Sequence, residues 1–62
     1  KFKIKKILFT YSATFNEKKI LERLMEKWLF YFPEGDINNL LKKNNNPKKL
    51  IKLLRKEINF VN

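Results

Sequence analysis

Glu17, Glu22 and Glu26 are the closest this chain comes to an acid–base site. Glu22 and Glu26 stand four residues apart, so on a helix they face the same way. Each also has a Lys or Arg three or four residues off, which is how a solvated helix face is built. There is no histidine, so a hydrolase triad has no imidazole base. There is no cysteine, so neither a disulfide nor a thiolate metal site can form. Gly35 is the sole glycine, too few for a phosphate-cradling loop of the P-loop or dinucleotide type. Thr10, Tyr11, Ser12 and Thr14 are rich in hydroxyls, which capping accounts for. The expectation is a protein that is not an enzyme and uses no metal or cofactor.

What remains is charge. Fifteen Lys and Arg oppose six Asp and Glu, a net charge of +9 with a pI near 10.1. Such a surplus favours anionic partners: nucleic acid, an anionic membrane surface or an acidic protein. The competing explanation is solubility plus the lysine-rich drift of an AT-rich coding sequence. The surplus is uneven. Lys1, Lys3, Lys5 and Lys6 meet no acid before Ser12. Residues 37–62 hold seven basic side chains against Glu57 alone. The middle of the chain is close to neutral, so two basic ends flank a scaffold.

The element that must hold those ends together is the stretch Thr14 to Phe32. Thr14 and Glu17 have the spacing of a capping box. Ile20, Leu21, Leu24, Met25, Trp28, Leu29 and Phe32 recur at three- and four-residue spacing and share a helix face. Pro33 ends the run, because a proline pushes the residue before it out of the helical region. Pro33 and Gly35 mark a turn. Asp36 then caps a short helix, Ile37 to Lys43, with an apolar stripe of Ile37, Leu40 and Leu41. Asn44, Asn45 and Asn46 form a polar loop. Asn46 caps a last helix with Pro47 at its first position, where a missing N–H costs nothing. This helix is expected from Lys48 to Glu57. It gathers Lys48, Lys52, Arg55 and Lys56 on one side and Leu50, Ile51, Leu54 and Ile58 on the other.

Residues Lys1 to Ser12 admit two assignments. Lys1-Phe2-Lys3-Ile4-Lys5 alternates with period two, and a bulge at Lys5–Lys6 would keep Ile7, Phe9 and Tyr11 on the face of Phe2 and Ile4. Ile4, Ile7, Leu8 and Tyr11 also make a helical stripe, although Phe2 and Phe9 then fall on its far side. The aromatic and β-branched content favours the strand. Its partner would be a short C-terminal strand, Ile58 to Val61, or a second copy of the chain. The expected fold is thus mainly α, a small α+β domain covering residues 1–62: an N-terminal strand, a long central helix and two shorter helices. Its core is expected to draw on Ile20, Leu21, Leu24, Met25, Trp28, Leu40, Leu50, Leu54 and Ile58. A chain this short gains only about 3–5 kcal/mol from such a core, which raises the value of a partner.

The favoured function is non-enzymatic nucleic-acid binding, to DNA or RNA, in an intracellular setting. Lys48, Lys52, Arg55 and Lys56 would meet phosphates, together with Lys1, Lys3 and Lys5. The last two helices and the Asn loop have the rough proportions of a helix-turn-helix. Base-reading side chains are scarce there, so backbone contact outweighs sequence readout. The alternative is a protein-interaction module, a homodimer or a subunit of a ribonucleoprotein assembly. It rests on Trp28-Leu29-Phe30-Tyr31-Phe32, which a helix cannot point wholly inward; Trp28, Phe30 and Tyr31 are its candidate contacts. A membrane-active cationic peptide is less favoured, and no apolar run approaches the roughly 20 residues of a membrane span.

Overall fold

The computed structural model describes residues 3–61. They form four helices: α1 (Lys3–Thr10), α2 (Phe15–Tyr31), α3 (Ile37–Lys43) and α4 (Pro47–Val61). No strand occurs among the described residues, so both expected strands are overturned and the fold is all-helical.

Residues 3–10 are helical because that conformation buries the better pair. In α1, Ile4 and Leu8 stand four residues apart and are 2% and 4% exposed. Burying each contributes about 1.5–3 kcal/mol, which an eight-residue helix needs because alone it would not persist in water. Phe9 pays for this arrangement by facing outward, where the helical stripe puts it. The far end of the chain offers no strand partner. Ile58 follows Leu54 at a helical interval and is buried, so α4 continues past Glu57 as far as Val61.

The capping box at Thr14 is present in full. The Glu17 backbone N–H donates to Thr14 Oγ1 at 3.2 Å, and the Thr14 backbone N–H donates to Glu17 Oε1 at 3.0 Å. At the other end of α2, the Phe32 N–H closes the last turn on the Trp28 carbonyl. Asp36 caps α3 by accepting from the Asn39 N–H at 3.2 Å. Asn46 Oδ1 accepts from the Lys48 and Lys49 N–H groups at the start of α4, at 3.0 and 3.5 Å.

The core is a single cluster to which all four helices contribute. It joins Ile4 and Leu8 of α1, Leu21 and Met25 of α2, Ile37 and Leu41 of α3, and Leu50 and Leu54 of α4. Each buried side chain among the described residues is apolar. Ile20, expected in the core, is 37% exposed. It lies about 100° round the helix from Leu21, toward the side of α2 that faces solvent. Leu24, Trp28 and Leu40 pack on the cluster from its edge.

α1 folds back along α2, which brings Lys5 Nζ to 3.7 Å from Glu22 Oε2 and Lys18 Nζ to 3.2 Å from the Phe9 carbonyl. Tyr11, just past α1, donates its hydroxyl to the Asn44 carbonyl at 2.8 Å. That bond ties the first hairpin to the end of α3.

Candidate nucleic-acid interface

α4 presents Lys48, Lys49, Lys52, Arg55 and Lys56 to solvent. At 100° per residue they fall within an arc of about 120°, opposite Leu50, Leu54 and Ile58. The apolar side fixes the direction of the basic side: once Leu50 and Leu54 are fully buried, the lysines have nowhere to point but out. Lys5 and Glu22 form the ion pair seen within 4 Å among the described residues; the cations of α4 form none there. Lys48 lies near enough to Glu17 to help hold its carboxyl below the usual range, after the Thr14 hydrogen bonds that dominate that effect. Lys42 and Lys43 are also exposed, in the last turn of α3, where a helix dipole favours cations.

The N-terminal lysines fare differently. Lys1 and the side chain of Lys3 lie outside the described residues. Lys5 is exposed, but on the α1–α2 side and beside Glu22. It is therefore partly neutralised, unlike Lys48, Lys52 and Lys56.

Arg55 links α4 to the outer side of α2. It lines a shallow groove with Ile20, Arg23, Leu24, Glu26, Lys27 and Phe30. α2 has almost no net charge, and two of its three acids are engaged locally. Glu17 closes the capping box, and Glu22 faces Lys5. Arg23, Lys27 and Arg55 put three cations around the groove against the one carboxylate of Glu26.

The aromatic run divides. Phe30 faces outward at 81% exposure, with Tyr31 set edge-on to it and 36% exposed. Trp28 turns inward instead, against Phe32 and over Gly35.

Three aromatic residues outside that run are also exposed: Phe9, Phe15 and, near the end of α4, Phe60. Phe9 and Phe15 are 83% and 72% exposed and line a second groove, between α1 and α2, with Lys5, Leu8, Ala13, Lys18, Lys19 and Glu22. Lys18 Nζ sits 6.0 Å from the Phe9 ring centroid, and Lys19 Nζ sits 5.2 Å from that of Phe15. Sequence reasoning missed this pairing. A signal was there: both phenylalanines fall off the apolar stripes of their helices, and both have lysine neighbours once α1 is helical.

Among the described residues no three acidic side chains gather to hold a metal ion, and no helix is long and apolar enough to cross a membrane. Compared with protein-family models, curated proteins and solved structures, the chain finds no match in any of the three.

Proposed function

We propose that this protein is a non-enzymatic nucleic-acid-binding domain that grips the phosphate backbone through the outer face of α4. The observation that carries the proposal is the exposed arc of Lys48, Lys49, Lys52, Arg55 and Lys56, with no carboxylate within ion-pair distance among the described residues. A stabilising surface would mix signs along such a helix. This one also opens with Lys48 and Lys49 and no acid in its first turn, against the preference of the helix dipole. The charge there works against the helix and suits an anion outside it. Lysines dominate the face, so it fits phosphates rather than base edges.

The test is duplex DNA and structured RNA titrated across a salt series. Four phosphate contacts lower affinity roughly a hundredfold between about 50 and 200 mM salt. Replacing Lys48, Lys52, Arg55 and Lys56 by Glu removes that binding while helicity is kept. Unchanged affinity in the variant sinks the proposal.

A second reading is protein interaction through the end of α2. It is favoured by the outward ring of Phe30 together with Tyr31 and Ile20 beside it, an apolar patch that a partner would cover. Phe30→Ser then weakens self-association or partner capture without loss of helicity. A strictly monomeric wild type that captures no partner argues against it.

A further inference from the structure

We propose that the groove between α1 and α2 receives unpaired nucleotides of a single-stranded nucleic acid, with bases laid against Phe9 and Phe15 and phosphates against Lys18 and Lys19. This deepens the nucleic-acid proposal and rests on it.

Two phenyl rings that are 83% and 72% exposed gain almost nothing for folding. The ammonium groups near them, at 6.0 and 5.2 Å from the ring centroids, contribute only about 0.5–1 kcal/mol at exposed sites. That is less than burying a phenylalanine would bring. What the arrangement does supply is a repeating unit of one flat apolar face beside one cation. A nucleotide has the matching parts, a flat base and a phosphate. Lys18 spends one donor on the Phe9 carbonyl and keeps two. With Glu22 facing Lys5, Lys18 and Lys19 leave the groove net positive, which favours an anionic occupant.

The groove fits an amphipathic acidic helix less well. Such a helix needs a continuous apolar trough for anchors one turn apart. Here the apolar lining of Leu8, Phe9, Ala13 and Phe15 is interrupted, because each ring has its own lysine over it. A duplex fits less well still, because its bases are stacked on one another and offer no free face to a ring.

The experiment compares wild type with the double variant Phe9→Ala/Phe15→Ala by fluorescence anisotropy. Three labelled probes of about twenty nucleotides are used: a thymidine strand, an abasic strand with the same phosphates, and a duplex. Wild type is expected to bind the thymidine strand about tenfold or more tightly than the abasic one. The double variant loses that preference and keeps its duplex affinity. Both rings are exposed, so the fold survives, which far-UV circular dichroism verifies. Phe15→Tyr, which keeps a ring, retains the preference. Equal binding of thymidine and abasic strands by wild type overturns the groove and leaves the α4 proposal standing. A preference that persists in the double variant also overturns it, because the bases then stack elsewhere. Wild type that ignores all three probes overturns both proposals. Anionic phosphatidylglycerol vesicles run in parallel; if they alone bind, and lose affinity in the double variant, the rings meet a membrane and the proposal fails.

Discussion

The indole of Trp28 lies directly on Gly35: a Cβ built at position 35 would collide with Cη2 and Cζ3 of that ring. No residue among those described has a positive φ, so this glycine is needed for space rather than for a left-handed turn. The Gly35 N–H bonds back to the Phe32 carbonyl at 2.8 Å, which holds the turn under the ring. The end of α2 is thereby closed by its own following loop. Gly35→Ala is expected to destabilise the protein by about 1–3 kcal/mol, the usual cost of forcing an atom into a filled site. In a domain of this size that lowers the melting temperature by several degrees, about 4–8 °C per kcal/mol. Shrinking the ring beside it, in Gly35→Ala/Trp28→Phe, recovers part of the loss. Equal melting of Gly35→Ala and wild type would show that the indole moves aside freely.

Tyr11 joins elements distant in sequence, because its hydroxyl reaches the Asn44 carbonyl at 2.8 Å. Tyr11→Phe leaves that carbonyl short of a donor and costs about 1 kcal/mol. Burial, and secondarily the charge of Glu17, raise the Tyr11 phenol above its ordinary value of 10.0. The folded protein therefore holds this proton more tightly than the unfolded chain does. Its stabilising contribution is complete below 10.0 and is lost as pH rises through the folded value. Chemical denaturation from neutral to strongly alkaline pH checks this. The gap between wild type and Tyr11→Phe should narrow in alkali; a constant gap would contradict the linkage.

Much of the fold is legible in the sequence because local rules and packing agree. Thr14 with Glu17, Asp36, and Asn46 with Pro47 each mark a helix start, and the stripe through Leu21 and Met25 marks the buried side. The first segment is different. Its period-two alternation runs through Lys1 to Lys5, while its helical stripe runs through Ile4, Leu8 and Tyr11. Pattern alone does not rank them. The decision belongs to tertiary structure: Leu21 and Met25 of α2, with Leu50 and Leu54 of α4, create an apolar surface that Ile4 and Leu8 complete, and Ile58 is already committed to α4. Ile20 was misplaced for a related reason. A seven-residue stripe on α2 is wider than the neighbouring helices cover, and which margin stays wet depends on where α4 lies. The α1–α2 groove was hidden by the strand assignment itself, since Phe9 meets Lys18 only when α1 is helical and folds back.

The start of α2 gives a second pH dependence, of opposite sign. The Glu17 carboxyl is held below its ordinary range chiefly by the backbone N–H of Thr14, then by the Thr14 hydroxyl and more weakly by Lys48. The unfolded chain takes up this proton more readily than the folded protein does. The stabilising contribution is thus complete above the ordinary glutamate range and is lost as pH falls through the folded value. Thr14→Ala removes the cap and should cost about 1 kcal/mol at neutral pH. Glu17→Gln should be less stable than wild type at neutral pH, with the difference shrinking in acid. Thermal melts at a series of pH values measure it, and a difference that grows in acid would refute the assignment.

Lys49 sets folding and binding against each other. It sits in the first turn of α4, where the helix dipole is positive and where no acid is present. Its backbone N–H is satisfied by Asn46 Oδ1 at 3.5 Å, but its ammonium opposes the dipole. Replacing it by Glu turns an unfavourable charge into a favourable one, so Lys49→Glu should stabilise the fold by about 1 kcal/mol at low salt. If α4 grips phosphates, the same change should weaken nucleic-acid binding and flatten the salt dependence by about one contact. A variant that melts higher and binds more weakly is the signature of a charge kept for a partner rather than for the helix. A higher melting point with unaltered affinity would place Lys49 off the contact surface. A lower melting point would mean that the lysine stabilises the fold, and the dipole argument for the α4 interface would fall with it.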